Sequence, residues 1–467
     1  MFVNESHLLS PNPARCHYGA AVTDIDGDGA FEVIVAGFED PNTLLTWEQG
    51  RVAVVTDHPL ADAGYSATGI AAADIDGDGR EEVYVLNRDT FAGRKWVPDR
   101  IYDFADHEWR DLFSLHENLG VRNFAAGRSV AAVDRHGTGR YGFVLASFGE
   151  AMRLYECDDA GTLVDAAAAA GVDRVADGRS LLSLPLISDR MDIFAGNDRG
   201  PNFLFANQGD GTYREVAGMS GIDDPGGHAR GVAVLDADGD GRFDIVCGNW
   251  EGHHRLFCQR EPGRFVDGAT ADIARPSRIR TVIAADFDND GYEEILFNNI
   301  GEPNRLFGWR NGDWHRLPLG DAREPECFGT GAVVGDFDGD GRLELIVAHG
   351  EAGAQPLSLY KPQETGNAWL RVLPLTPAGA PARGAVVALD AGARRQLRAI
   401  DAGSGYLCQM EPVAHFGLGE CYETIDRVAI RWPDGITRTI GSPEPGQLLT
   451  VPHPAAGRRQ GREMPAI

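Results

Sequence analysis

Asp236-Ala-Asp-Gly-Asp-Gly-Arg-Phe-Asp244 sets carboxylates at positions 1, 3, 5 and 9 of a short loop, with glycines where the backbone must turn. Carboxylates that converge so closely repel one another unless a hard cation sits among them, and Ca²⁺, with its six to eight oxygen ligands, suits the set. Its donors are the side chains of Asp236, Asp238, Asp240 and Asp244 and the carbonyl of Arg242. The grammar recurs at Asp24, Asp26, Asp28, Ala30 and Glu32, and again at Asp74, Asp76, Asp78, Arg80 and Glu82. Two further copies are Asp286, Asp288, Asp290, Tyr292 and Glu294, then Asp336, Asp338, Asp340, Arg342 and Glu344. The expected cofactor is therefore Ca²⁺, about five ions in a structural role, one per intact loop.

A second set of chemically able residues is found by counting from these loops. Six residues before each loop stand Tyr18, Thr68, Arg128, Arg179, Arg230, Arg280 and Thr330. Thirteen after each loop start (twelve in one shortened copy) stand Gly37, Asn87, Ser147, Asn197, Asn249, Asn299 and His349. On strands these positions lie roughly 17–20 Å from the ions, as two rings on the calcium-distal face. Arg128, Arg179, Arg230 and Arg280 could clamp an anion as guanidinium forks do. With Trp250, Asn197, Asn249 and Asn299 they make the expected substrate-binding set. The alternative is that each arginine holds the next blade through carbonyls or an acidic neighbour, and that the asparagines cap turns. His253, His254, Asp198 and His349 are the acid–base candidates on that face. The nucleophile motifs GxSxG and HExxH are absent, as is the GK[ST] of a phosphate loop.

The elements that position these residues follow from repetition. A worn copy begins at Asp134, and another, lacking its first ligand, lies near Pro185 and ends at Asp192. Successive starts are then 50, 60, 51, 51, 50 and 50 residues apart, a fixed period that signals a repeat architecture. Each repeat reads as four short strands joined by Gly- and Asn-rich turns, which is one propeller blade. The fold is expected to be all-β, a seven-bladed β-propeller over residues 1–362 with a small C-terminal β domain over 363–453 and a flexible tail over 454–467. The chain starts on an outer-strand pattern, so residues 2–6 are expected to complete the last blade beside Pro356–Tyr360 and remove an open edge.

Composition narrows the partners. The net charge of −27 becomes −17 once five Ca²⁺ are counted, which still disfavours nucleic acid and anionic membrane. No apolar run approaches the length of a membrane span. Lys95 and Lys361 are the only lysines. Seven scattered cysteines with no CxxC argue against a disulfide framework or a zinc cluster. The N-terminal residues lack a secretory pattern, and the chain reads as cytoplasmic.

The loops, and the linker Gly196-Asn-Asp-Arg-Gly-Pro-Asn-Phe-Leu-Phe-Ala-Asn-Gln-Gly-Asp-Gly-Thr-Tyr213, resemble the FG-GAP or VCBS repeats of integrin-like propellers. Ser404-Gly-Tyr-Leu-Cys-Gln409, His415-Phe-Gly-Leu-Gly419 and Arg431-Trp-Pro-Asp-Gly435 resemble the ASPIC/UnbV domain that follows such propellers in cartilage acidic protein homologues. The resemblance implies two functions. One is a cytoplasmic protein of bacterial secondary metabolism that binds a small anionic metabolite at the calcium-distal mouth and promotes a non-redox cyclisation or rearrangement. The other is a non-catalytic adhesion or scaffold module using the same face. Fold alone does not choose between them.

Overall fold

The computed structural model describes residues 1–456 except 49, 56, 159 and 421–423; Cys421 and most of the expected tail lie outside the described residues. Seven antiparallel blades follow one another along the chain. Blade 5 is representative, with strands Ala229–Leu235, Asp244–Asn249, Arg255–Glu261 and Arg264–Asp267 from the axis outward. The acidic loop of each blade joins its first and second strands, so the loops share one end of the channel. Each innermost strand packs on the next, and Gly329–Gly335 of blade 7 packs on His17–Thr23 of blade 1, closing the ring.

Crowding at the axis explains the composition there. Innermost strands are rich in Ala and Gly, as in Ala67–Ala73 and Gly127–Val133, and all of those residues are buried. A Cβ on Gly231 would stand 2.4 Å from the backbone nitrogen of Val282, so blades 5 and 6 approach through a residue without a side chain.

The N-terminal strand closes the last blade as expected. Phe2, Val3 and Asn4 pair with Pro362, Lys361 and Tyr360. The strand they pair with is Ser358–Pro362, two residues further along than the sequence pattern indicates. Blades 3 and 4 depart from the pattern. Strand Gly142–Ala151 overruns its blade and pairs with Val175–Leu184, joining the two blades with worn loops into one sheet.

The C-terminal domain is two small sheets, Ala414–Gly419/Ala368–Pro374/Leu448–Val451 and Arg394–Ala399/Val386–Ala391/Ile425–Arg431/Thr437–Gly441. Leu370, Phe416, Val387, Val428 and Trp432 fill its core. It sits on the acidic-loop end of the propeller and sends residues 401–411 down the channel. Gly405 exchanges backbone hydrogen bonds with Val232 at 2.7 and 2.8 Å, and Gln409 does so with Ala20 and Val22 at 2.9 and 3.1 Å. The Ala402 carbonyl accepts from Ala132 at 2.6 Å, and Glu411 donates to Val334 at 3.3 Å. The Gln409 side-chain amide copies a strand, accepting from the Ala72 N–H at 2.7 Å and donating to its carbonyl at 3.0 Å. Inner strand edges that would otherwise present unpaired backbone groups to the channel are thereby satisfied in blades 1, 2, 3, 5 and 7.

Candidate functional site: the two ends of the channel

At the loop end the five intact loops share three backbone hydrogen bonds: the N–H groups at positions 6, 7 and 2 donate to the carboxylates at positions 1, 5 and 9. In the first, both Asp24 oxygens accept backbone N–H groups, from Gly27 at 2.6 Å and Gly29 at 3.0 Å. Asp26 accepts from Asp28 at 3.1 Å, Asp28 from Ala30 at 2.7 Å, and Glu32 from Ile25 at 2.7 Å. Each of these last three carboxylates spends one oxygen on the backbone and keeps the other for the loop centre. The position-9 carboxylates Glu32, Glu82, Asp244, Glu294 and Glu344 are all buried. Burial and neighbouring carboxylates push Glu32 up to about 8 and Asp244 to about 7. Asp238 Oδ1, Asp286 Oδ1 and Asp336 Oδ1 are buried with no hydrogen-bond partner among the described residues. Crowded, buried, half-satisfied oxygens at this spacing fit a hard cation.

Blade 4 shows the contrast. Asp192 accepts from the backbone of Leu186, Ile187, Ser188 and Asn207 and from the Ser188 hydroxyl, so its oxygens are fully used. Blades 6 and 7 bring cations of their own. Arg310 lies 2.6, 2.9 and 2.9 Å from Asp288, Asp290 and Glu294. Lys361 contacts Asp338, and lies 2.9 Å from Asp340 and 2.7 Å from Glu344.

The C-terminal domain grips these loops. Arg371 reaches Asp336 at 2.9 Å, and the Gly417 N–H reaches Asp286 at 3.0 Å. His415 is bonded through Nε2 to Asn289 Oδ1 at 2.6 Å, so the His415–Gly419 turn clamps the blade-6 loop. A Cβ on Gly417 would stand 2.3 Å from the Asn289 backbone, which explains the glycine. Arg383 bridges Glu81 at 2.6 Å and the Val22 carbonyl at 2.9 Å.

The far end of the channel holds the arginines, on consecutive innermost strands. Their guanidinium groups converge on Tyr406, the tip of the channel segment, with Arg179 Nη1 3.5 Å from its hydroxyl. Burial would raise that phenol, but Arg179, Arg280 and Arg230 outweigh it and hold it below the ordinary tyrosine value. The arginines are already partnered. Asp198 is forked between Arg179 at 2.9 Å and Arg230 at 2.7 Å, while Glu351 holds Arg280 at 2.6 Å. Despite its burial, Asp198 is held down to about 2 by Arg230 and Arg179, so it is a fixed counter-ion and a poor base. Trp250 stacks under Arg280, 3.9 Å from guanidinium carbon to ring centre. Arg128 differs. It is 2 % exposed, bonds the Phe91 carbonyl, packs 4.5 Å from the Phe91 ring, and has no carboxylate partner among the described residues. Burial and the nearby Arg88 hold it down at about 9.

The expected polar ring is taken up by turns. Asn197 and Asn299 each donate to the carbonyl four residues on, Pro201 at 2.6 Å and Pro303 at 2.8 Å, and Asn249 donates to His253 at 2.7 Å. A residue five positions on then caps the strand end. Asn202 accepts from the Asn197 N–H, Asn304 from Asn299, and His254 from Asn249, each within 3.0 Å. His254 is thus the blade-5 counterpart of a capping asparagine. Its Nδ1 accepts from the Asn249 N–H, while Nε2 lies 3.0 Å from the Ser277 hydroxyl, which donates to Asn299, and 2.9 Å from the Arg305 guanidinium, which can only donate. Burial and Arg305 lower it to about 3. His253, on the exposed side of the same turn, is bonded to the Ala274 carbonyl at 3.2 Å. His349 is buried against Glu324 and Pro356. The four acid–base candidates therefore do not converge on one point. Two cavities of about 510 Å³ lie elsewhere, one between blades 4 and 5 and the C-terminal domain, the other beside Arg94, Leu119 and Phe124.

What sequence reasoning missed is the channel segment and the loop that follows Asn87. That loop folds over Arg128 through the Phe91 carbonyl and leaves Phe91 54 % and Trp96 91 % exposed. Its signal was present as an insertion, since blade 2 is the one repeat of 60 residues.

Seven blades, five of them with this loop grammar, plugged by a domain that carries Ser404–Gln409, define an FG-GAP-type propeller with an ASPIC/UnbV domain. The FG-GAP-like repeat matches residues 24–85, 189–247 and 236–297, the FG-GAP repeat matches 328–370, and the ASPIC and UnbV family matches 376–458. Cartilage acidic protein 1 of Xenopus tropicalis is 46% identical over 486 residues, covering 95% of this chain and 74% of its own. The Homo sapiens protein of the same name is 45% identical, with 95% and 73% covered. The chain belongs to the cartilage acidic protein family. Among solved structures, the BP39L lectin of Burkholderia pseudomallei overlaps with a TM-score of 0.48 at 13% identity, covering 72% of this chain and 94% of the lectin, too loosely to bear on binding. These relatives overturn the expectation of a cytoplasmic protein, because the family is named for cartilage, a tissue built mostly of material outside cells. That expectation rested on the first residues and on unpaired cysteines, and neither decides a compartment. Six cysteines are free in the described residues.

Proposed function

We propose that this protein is a non-catalytic binding module of the extracellular kind, a calcium-stiffened propeller that docks an acidic partner on its arginine-bearing face. The observation that carries the reading is the filled mouth. Tyr406 closes the channel among the arginines, and Asp198, His254 and His349 are committed to internal partners. A metabolite pocket needs a concave site with free polar groups, and catalysis needs a proton carrier facing it. A macromolecular partner needs only a surface. The loop after Asn87 offers one: exposed Phe91, Trp96 and Arg94 beside half-buried Arg88. Aromatic and arginine residues are the usual anchors of protein interfaces. In a chain of net charge −27, a cationic aromatic patch selects a partner with negative charge.

Ca²⁺ in this reading is structural. Asp24, Asp74, Asp236, Asp286 and Asp336 with their loop companions hold it, and its charge relieves the repulsion that would otherwise splay each first hairpin.

The test is binding of a polyglutamate peptide and of heparin to the calcium-loaded protein at several salt concentrations, repeated with Arg88→Glu and Trp96→Ser. The proposal expects salt-sensitive binding that falls about tenfold or more in either variant. Equal binding by wild type and both variants, or none by wild type, would sink it.

A further inference from the structure

Three blades carry an acid 25 residues before the end of the second strand: Asp62 before Asn87, Asp224 before Asn249, and Glu324 before His349. Each acid has a left-handed backbone, with φ of 45°, 35° and 39°. In blades 2 and 5 the acid accepts a hydrogen bond from the asparagine amide, at 3.2 and 2.9 Å. Blade 7 replaces both partners and changes the chemistry. His349 Nδ1 lies 2.7 Å from the Pro356 carbonyl oxygen, which can only accept, so Nδ1 carries the ring proton. Nε2 then turns its lone pair toward both Glu324 oxygens, at 3.1 and 3.2 Å. Acceptors meeting face to face require a second ring proton, a proton on the carboxyl, or a cation between them.

Cys327 decides between these. Its sulfur, a Glu324 oxygen and a His349 nitrogen all lie within 4.8 Å of one another. A histidine–glutamate ion pair gives that thiol no task. We propose that Glu324, Cys327 and His349 bind a zinc-class transition-metal ion, with a fourth position open to water. One nitrogen, one sulfur and one carboxylate oxygen form a borderline donor set that suits Zn²⁺ and not Ca²⁺. Ligand atoms around a tetrahedral zinc stand about 3.2–3.8 Å apart, so the nitrogen–oxygen spacing matches one edge of such a site.

The outer groups are those that orient metal ligands elsewhere. The Pro356 carbonyl fixes the tautomer, and Glu324 accepts from the Tyr360 hydroxyl at 2.6 Å and the Asn304 amide at 3.3 Å. Cys327 is half-buried while Glu324 and His349 are buried, which leaves an approach from solvent on the thiol side.

The experiment titrates Co²⁺, the spectroscopic substitute for Zn²⁺, into the full chain kept in saturating Ca²⁺. The expected result is a thiolate-to-cobalt charge-transfer band that saturates with a single ion per chain and is bleached by Zn²⁺. Cys327→Ser should lose the band. His349→Asn installs the residue that other blades use at this position, so it should keep the fold, by circular dichroism and Tm, and lose metal binding. Tyr360→Phe should weaken Zn²⁺ about tenfold. Absence of the band in wild type, or its persistence in Cys327→Ser or His349→Asn, overturns the proposal.

Discussion

At the scale of single residues, the rarest type in the chain proves instructive. Both lysines are buried cations: Lys95 pairs with Asp99 where neither side chain is exposed, and Lys361 reaches three carboxylates of the blade-7 loop. His254 carries a sharper consequence. Its imidazole titrates at about 3 in the fold and near 6.5 in the unfolded chain, so the unfolded state takes up its proton first as pH falls. Stability from this group is complete above pH ~6.5 and is lost progressively down to about 3. His254→Asn puts the amide of the other blades in its place. Wild type should lose about 2 kcal/mol more than His254→Asn between pH 7 and pH 5, read by urea unfolding at each pH. Parallel curves for the two proteins would refute the capping role.

At the scale of elements, the segment 401–411 behaves as a strand shared among blades. Gln409→Ala would leave the Ala72 N–H and carbonyl buried without partners. The expected cost is about 2–5 kcal/mol, seen as a lower Tm, with the C-terminal domain released to protease before the propeller unfolds. Unchanged protease resistance would mean that the domain is held by its grip on the loops alone. This element was illegible in the sequence for a physical reason. Ser404-Gly-Tyr-Leu-Cys-Gln409 has no alternation of its own, because its neighbours are different blades at different heights, and those partners lie up to 389 residues away. The blades were legible because a period-2 pattern and a fixed loop spacing set register within a few residues of themselves. The asparagine ring fell between the two. Its positions could be counted from the loops, yet only the linker geometry shows that Asn197 and Asn299 hold carbonyls four residues ahead.

At the scale of the whole molecule, the two ends of the channel carry opposite charge, and the C-terminal domain is bolted to the acidic one. Asp286 and Asp336, the first carboxylates of loops 6 and 7, accept from Gly417 and Arg371 of that domain. Calcium and domain docking should therefore fail together. Chelation is expected to lower Tm by about 10 °C and to expose the 363–367 link to protease, both reversed by Ca²⁺. Because Arg310 and Lys361 already reach into loops 6 and 7, Glu32→Gln and Glu82→Gln should cost more calcium, by equilibrium dialysis, than Glu344→Gln. A larger loss in Glu344→Gln would show that Lys361 withdraws when the ion binds.

The channel segment also imposes an order of assembly. During synthesis Phe2–Asn4 has no strand to pair with until Ser358–Pro362 has emerged, and inner strand edges remain open until residues 402–411 follow. Seven blades can therefore be complete in sequence and still be an unfinished, edge-exposed ring. A ribosome that stopped after the seventh blade would release a protein with open seams along its inner strands. The last quarter of the chain is what certifies that the first three are present.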